Sequence, residues 1–166
     1  MVLDVSQLIQ NDGAVKKLDF NLMLDSISFN GQDISFETPI DLLGEIKNIS
    51  GILYLDLDAN TSFTTQCARC LDSVKVQHSF HISEAFSKTE REDTEYEVTV
   101  LTSGNIDLSE VTENAFVGSI PINYLCKEDC KGLCKTCGVN LNHESCSCAD
   151  DNIDPRLAVL KQFIKD

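Results

Sequence analysis

The sequence predicts an α+β fold that contains a largely antiparallel sheet, a principal helix, a C-terminal helix and a cysteine-rich lobe. Alternating apolar and polar residues, which are typical of half-buried strands, recur between residues 18 and 100. Helical periodicity comes later, after positions 107 and 154, and strands and helices do not alternate along the chain. Six of the eight cysteines fall between positions 126 and 148, which favours a small stapled lobe beside one core.

Alternation and turn residues predict the first elements. Residues 4–10 are predicted to form a short helix, and residues 18–29 alternate well enough to open the sheet. Residues 45–66 predict a long hairpin, with Asp58, Ala59 and Asn60 as its turn.

A further strand is predicted at residues 74–82, because its apolar residues share one face: Val74, Val76, Phe80 and Ile82. Cys67 and Cys70 precede this strand, so we expect them in a strand-to-strand turn. His78 falls on the apolar face, where a hydrogen-bonded core histidine is the expected role.

The acidic run at residues 90–97 predicts a solvated loop, which leads into a short strand with Tyr96, Val98 and Val100 on one face. The principal helix is predicted to begin after Asp107, an N-cap residue with Glu110 three positions on, and to end before Pro121.

The C-terminal helix is predicted to begin at Asp154 and Pro155, and its apolar face is formed by Leu157, Leu160, Phe163 and Ile164. These elements divide the chain into three parts. Residues 1–125 form the α+β core domain, residues 126–150 the cysteine-rich lobe and residues 151–166 the C-terminal helix.

Length and composition fit a globular protein. With 166 residues, of which 42% are apolar, the chain can bury one ordinary core. We expect neither a signal peptide nor a membrane span, because the first residues lack a basic segment and no run of about 18 apolar residues occurs. We therefore expect a cytoplasmic protein, in which reduced thiols are better explained as metal ligands than as a disulfide framework.

The net charge constrains the partners. It is −14 at pH 7, with 13 Lys and Arg against 27 Asp and Glu. Broad electrostatic binding to RNA or DNA requires many cations, so this class of interaction is disfavoured. A basic protein partner fits the charge better.

The cysteine spacing predicts zinc. Two thiolates two or three residues apart can turn onto one ion, and zinc takes four ligands in a tetrahedron. A short loop favours one site formed by Cys134, Cys137, Cys146 and Cys148. The remaining thiols would form a second site, which consists of Cys67, Cys70, Cys126 and Cys130.

Spacing alone leaves other assignments open. One zinc ion could be held by Cys126, Cys130, Cys134 and Cys137, with the other four cysteines reduced or paired elsewhere. His143 could replace a cysteine, although a surface histidine is the favoured interpretation. A chain without metal is the third possibility.

The motifs do not favour catalysis. Four-cysteine sites are closed and structural, whereas catalytic zinc keeps an open position. The deaminase pattern H-x-E with P-C-x-x-C and the H-E-x-x-H pattern are both absent from the sequence. A thioredoxin-type motif would open a helix, but strands are predicted around Cys67 and Cys70. We therefore predict that the protein is not an enzyme.

These motifs together resemble the bacterial YceD family, called large ribosomal RNA subunit accumulation proteins. The resemblance is carried by CARCL at 67–71, CKGLCKTCGVNLN at 130–142, CSC at 146–148 and DPRLAVL at 154–160. It implies a role in accumulation of 23S ribosomal RNA and in large-subunit biogenesis. One departure is Lys135, which stands where the family often has proline, so the turn is less preorganised although no ligand is lost.

The main hypothesis is a non-enzymatic ribosome biogenesis factor that acts through a basic ribosomal protein or a large-subunit precursor particle. Arg69, Lys131 and Arg156 are candidate contacts for RNA or a partner protein, although the favoured role for them is to satisfy carbonyls or thiolates near zinc. The alternative is a redox-switched zinc chaperone, since CxxC and CxC pairs can release zinc on oxidation. A nucleic-acid-binding zinc ribbon is a weaker option because of the acidity.

Overall fold

The computed structural model describes residues 1–90 and 97–148. Among these residues there are nine strands and one helix. Their bounds are β1 Val2–Asp4, β2 Val15–Leu22, β3 Ile27–Phe29, β4 Gln32–Phe36, β5 Ile40–Ile49, β6 Ile52–Gln66, β7 Ser73–Ser87, β8 Val98–Val100, β9 Asn105–Asp107 and α1 Leu108–Ser119. The structure is thus mostly antiparallel sheet with one helix, as the predicted fold class requires. The predicted C-terminal helix lies outside the described residues.

The main sheet is organised around β6. Along one edge, β6 pairs first with β5 and then with β4, while β7 pairs with it along the whole of the other edge. The sheet is extended by β2 beside β5 and by β3 beside β4. All of these pairs are antiparallel, whereas β8 runs parallel to β7. A separate two-stranded sheet joins β1 to β9.

The predicted hairpin exists, but its predicted turn at residues 58–60 is wrong. Asp58 and Asn60 are exposed on β6 and Ala59 is buried between them, as in any half-buried strand. The turn lies at Ser50 and Gly51, whose φ angles are +54° and +83°. Positive φ at both central residues matches the twist of a two-residue hairpin, which explains why the chain reverses there.

The predicted helix at residues 4–10 is also wrong. The chain instead forms β1, in which Leu3 pairs with Ile106 of β9, and then a series of turns. Leu3 and Val5 are buried, so tertiary pairing overrides the local helical pattern. The predicted strand at 18–29 is divided between β2 and β3.

The helix α1 covers the inner face of the main sheet. Asp107 stands at its N-cap and accepts a hydrogen bond from the Ser109 backbone N–H at 2.9 Å. Phe116 is fully buried, with its ring 5.1 to 5.7 Å from those of Phe36, Phe63 and Phe80. The helix therefore contributes its aromatic residue to the centre of the core.

His78 lies on the same inner face as this aromatic cluster. Its Nε2 is 2.8 Å from the Ser119 hydroxyl, and burial lowers the pKa of the ring. The expected hydrogen bond is therefore present, but the ring is half-buried at the edge of the core. In the described parts of the chain, no helix is long and apolar enough to cross a membrane.

The β6–β7 hairpin carries the first cysteine pair. Its two strands are 15 residues long and pair throughout, from Ile52 with Ser87 to Gln66 with Ser73. Cys67 and Cys70 follow directly in the connecting turn, where the sequence predicts them. The division of the chain into three parts stays a prediction.

Gly44 on β5 offers a test of the sheet packing. A Cβ at this position would collide with the Asp56 carbonyl oxygen and come 2.9 Å from the Leu57 Cα. Because these are backbone atoms of the central strand, Gly44→Ala should lower the free energy of unfolding by about 1–3 kcal/mol, measured by urea denaturation. Gly118→Ala is the control: its Cβ would meet nothing within 4 Å, and it should be neutral or stabilising. Equal stabilities of the two variants would contradict the described pairing of β5 with β6.

Candidate metal centres

The first cluster forms at the tip of the β6–β7 hairpin. Cys67 and Cys70 come from the tip, while Cys126 and Cys130 come from the segment after α1. The four Sγ atoms lie within 4.8 Å of one another, with 3.8 Å between Cys67 and Cys130 and 3.5 Å between Cys70 and Cys126. A tetrahedron with Zn–S bonds of about 2.3 Å has edges of about 3.8 Å, so the spacing suits one zinc ion.

The second cluster is local in sequence. The Sγ atoms of Cys134, Cys137, Cys146 and Cys148 also lie within 4.8 Å of one another. A tight turn shapes the first half, because the Gly138 N–H donates to the Cys134 carbonyl and the Cys134 N–H to the Val139 carbonyl, both at 2.8 Å. Gly138 has a φ of +75°, which glycine adopts without strain.

The structure therefore groups the eight thiols as the two-site interpretation does. It separates Cys126 and Cys130 from Cys134 and Cys137, which the competing partition places on one ion. All eight cysteines are free thiols, and the donor set of four sulfurs fits zinc. Both groups can thus hold a metal ion, while the binding and the identity of the ion stay predictions.

Backbone N–H groups favour thiolates at the first cysteine of each CxxC pair. At Cys134, the amides of Cys137 and Thr136 lower the pKa to about 6. At Cys67, burial opposes ionisation, but the amides of Cys126, Arg69 and Cys70 outweigh it and also lower the pKa to about 6. The two turns thus orient the same kind of donor toward sulfur, which prepares these thiols to bind a cation.

Other thiols of the clusters keep their protons more firmly. Burial raises the pKa of Cys70 and of Cys126. The Cys137 thiol, together with burial, raises the pKa of Cys148 to about 12. An ion that binds must therefore displace protons from each cluster.

Arg69 and Lys131, two of the predicted contact residues, lie beside the first cluster. The Arg69 guanidinium donates from Nη1 to the Cys130 carbonyl at 3.0 Å, and its own carbonyl accepts from the Leu133 N–H at 3.0 Å. Arg69 therefore holds the segment after Cys130 against the hairpin tip. Lys131 is exposed, and its backbone N–H donates to the Asn142 side chain. Arg156 lies outside the described residues.

Asp72 is a residue around the clusters that the sequence reasoning missed. Both of its carboxylate oxygens accept from the Asn140 side chain at 3.0 Å, and one accepts from the Cys70 thiol at 3.3 Å. His143 Nε2 lies 3.2 Å from the same carboxylate and belongs to neither group of four thiols. The side chain of His143 is 67% exposed, in keeping with a surface histidine.

Asn142 was also missed as a functional residue. Its side-chain amide donates to Cys130 Sγ at 3.3 Å, although Cys130 belongs to the first cluster and Asn142 to the loop of the second. Burial works against ionisation of Cys130, but this amide and its other neighbours hold the pKa of the thiol below its ordinary value. A sequence signal for Asn142 was present in the run CGVNLN at 137–142, where two asparagines follow the pair Cys134 and Cys137.

The donor sets of both clusters fit a structural ion. Each provides four sulfurs, which would fill the tetrahedron of a bound zinc ion and leave no position for a substrate. The fold and the clusters thus define a class: β-rich proteins that carry two closed four-cysteine groups of the metal-binding type.

Comparison with known proteins assigns the family. The sequence model of the YceD family, described as large ribosomal RNA subunit accumulation protein, matches residues 55–164, a range that includes all eight cysteines. The chain therefore belongs to the YceD family, which confirms the resemblance. No solved structure matches the chain.

Several relatives match over most or part of the chain. Uncharacterized proteins of Mycobacterium tuberculosis and Mycobacterium bovis are 34% identical over 170 residues, which covers 99% of this chain and 81% of theirs. A maize protein is 41% identical over 61 residues, which is 36% of this chain and 20% of its own length. Its name is large ribosomal RNA subunit accumulation protein YCED homolog 1, chloroplastic.

Metal stoichiometry tests the two clusters. Native mass spectrometry of the wild-type protein should show two zinc ions, and Cys67→Ser and Cys146→Ser should each retain one, because each removes a ligand from a different cluster. His143→Ala is the matched control and should retain both ions, since His143 belongs to neither cluster. A single ion that survives Cys67→Ser unchanged would contradict the assignment.

Zinc affinity should fall as the pH is lowered. The raised pKa values of Cys70, Cys126 and Cys148 mean that these protons are bound in the metal-free protein and lost on binding. Lower pH thus favours the protonated, metal-free state, and affinity should fall by roughly tenfold per pH unit for each displaced proton. Competition with a chelator of known pH dependence measures this slope. A constant affinity between pH 8 and pH 6 would show that the thiols are already ionised.

Proposed function

We propose that this protein is a non-enzymatic ribosome biogenesis factor, stabilised by zinc, that supports accumulation of 23S ribosomal RNA and assembly of the large subunit. It acts by binding a basic ribosomal protein or a precursor particle. The observation that carries the proposal is family membership over the stretch that contains both cysteine clusters. Because the proposed partner is the ribosome or its precursor, we propose that the protein lies in the cytoplasm.

The closed clusters support a role without catalysis. Four sulfurs per ion leave zinc without an open position, so the metal would serve as a fastening between segments of the chain. In the first cluster it would tie the β6–β7 tip to the segment after α1, since Cys70 and Cys126 are 56 positions apart in the sequence. The function then depends on the surfaces that this fastening holds in place.

The outer face of the main sheet carries acidic side chains, which argue for a basic partner. Cross-strand pairing places Asp19 beside Leu43 and Leu43 beside Asp58, while Glu45 pairs with Asp56 in the next row. Asp58 and Asp56 have side chains that are 79% and 55% exposed. The acidic face is defined by Asp19, Asp41, Glu45, Asp56 and Asp58. Lys17, which pairs with Glu45, and Lys47 lie on the same face, which keeps an excess of acids.

An acidic face attracts a cationic partner and repels phosphate. Electrostatic complementarity of this kind raises the rate of association and selects the partner, so a basic ribosomal protein suits it. Direct RNA contact would be limited to a few cations such as Lys131, because the net charge of −14 opposes broad binding. We propose no contact with DNA or membranes.

The redox-switched chaperone is not favoured. The family is described by an accumulation role, and that description names no chaperone activity. In the first cluster, Cys67, Cys70 and Cys130 are buried, which limits access of oxidants to their sulfurs.

Depletion and rescue test the proposed function. Depletion should lower the ratio of 23S to 16S ribosomal RNA, and the tagged wild-type protein should restore it and co-sediment with large-subunit precursors. The triple variant Asp41→Lys, Asp56→Lys, Asp58→Lys should bind those precursors at least about tenfold more weakly, because it reverses charges on the acidic face.

A variant with the same net charge provides the control. Asp25→Lys, Glu97→Lys, Glu113→Lys changes three exposed acids outside the acidic face and should rescue as the wild type does. Equal rescue by both triple variants would exclude the acidic face as the contact. Unchanged ribosomal RNA ratios after depletion, with no ribosomal component recovered with the protein, would refute the proposed function.

A further inference from the structure

The two cysteine clusters are joined by a side chain that belongs to one and contacts the other. Asn142 lies between Cys137 and Cys146, in the loop that the second cluster closes. Its amide nitrogen donates to Cys130 Sγ of the first cluster at 3.3 Å, and its amide oxygen accepts from the Lys131 N–H at 3.0 Å. The second cluster thus supplies a hydrogen-bond donor to a sulfur of the first.

Further contacts hold the same loop against the first cluster. Asn140 donates to both carboxylate oxygens of Asp72, two residues after Cys70, at 3.0 Å. The Leu141 N–H donates at 2.9 Å to the carbonyl of Gly132, which lies two residues after Cys130. Asn140 also orients Asn142, since its side-chain oxygen accepts from the Asn142 backbone and side chain.

The position of this loop depends on the second cluster. Residues 138–145 connect Cys137 to Cys146, and an ion bound by both cysteines fixes the two ends of the segment. Without that ion the loop gains conformational freedom, and holding Asn142 against Cys130 then costs entropy. An ion in the second cluster therefore lowers the entropic cost of holding Asn142 against Cys130.

We propose that the two clusters bind metal cooperatively and that Asn142 is the positioning residue that couples them. An ion in the second cluster places Asn142 against Cys130 and raises the affinity of the first cluster, and by thermodynamic linkage the reverse holds equally. Hydrogen bonds to ligands commonly change metal affinity by about 10–100-fold, so the coupling factor should be at least about tenfold. This inference rests on the metal binding in the proposed function and goes beyond it.

The experiment measures populations of the full-length protein with zero, one and two zinc ions by native mass spectrometry, over a series of chelator-buffered zinc concentrations. Cooperative binding should keep the one-ion species of the wild type below the level expected for independent sites. Asn142→Ala should raise that species, while it leaves all eight thiols in place. Glu144→Ala is the matched control, because Glu144 lies in the same loop with an exposed side chain.

A double-mutant cycle separates positioning from general packing. The double variant Cys146→Ser, Cys148→Ser disables the second cluster, so it should bind one ion, in the first cluster. The affinity of the first cluster should then be at least about tenfold lower than when the second cluster is occupied. In that background Asn142→Ala should reduce the affinity by a smaller factor than in the wild type, because the freed loop holds the amide against Cys130 for less of the time. A merely structural Asn142 would change it equally in both backgrounds.

Two results would overturn the proposal. One is a one-ion population in the wild type at the level for independent sites, and the other is an Asn142→Ala protein that matches Glu144→Ala. Both leave the proposed function intact, because that function requires ions that stabilise the protein but does not require them to bind cooperatively. Should the double cysteine variant fail to fold, the comparison of wild type, Asn142→Ala and Glu144→Ala decides the matter by itself.

Discussion

The full-length pairing of β6 with β7 is the interaction on which the rest of the structure depends. Their 15-residue strands alternate in burial, so one face carries the core and the other the exposed acids of β6. The hairpin also extends the chain to the point where Cys67 and Cys70 turn back. Core, acidic face and first cluster are therefore all positioned by one antiparallel ladder, since pleated strands send successive side chains to opposite faces.

The hairpin tip is suited to hold a positive charge. Four sulfurs within 4.8 Å of one another would repel if all were ionised, and backbone amides already favour the thiolate of Cys67. A bound dication would relieve this repulsion and would join segments that are distant in sequence. Asp72 and Asn142 link the two clusters. Asp72 accepts hydrogen bonds from Cys70 and from Asn140 in the loop of the second cluster, and Asn142 donates from that loop to Cys130. The clusters are thus parts of one connected unit.

Predictions from the sequence succeeded where the signal was local. The spacing of the cysteines favoured the two groups of four sulfurs that the structure brings together, but it left a single site at Cys126, Cys130, Cys134 and Cys137 open. The N-cap at Asp107 likewise depends on neighbouring residues alone. The turn at Ser50 and Gly51 was missed because Asp58 and Asn60 offer stronger turn residues, yet burial of Ala59 keeps them in a strand. The helix expected at residues 4–10 failed because β9, about 100 residues away, pairs with β1.

By itself, the sequence determined the fold class, the eight thiols and the family, because periodicity, composition and motifs are properties of the chain. Tertiary structure alone decided which side chains surround the sulfurs. Asp72 meets Asn140 over a separation of 68 residues, and Asn142 contacts Cys130 in a loop that the bridge between Leu133 and Asn140 also holds. Such contacts follow from how separate segments pack, and no local pattern encodes the distance between two polar side chains once the chain has folded.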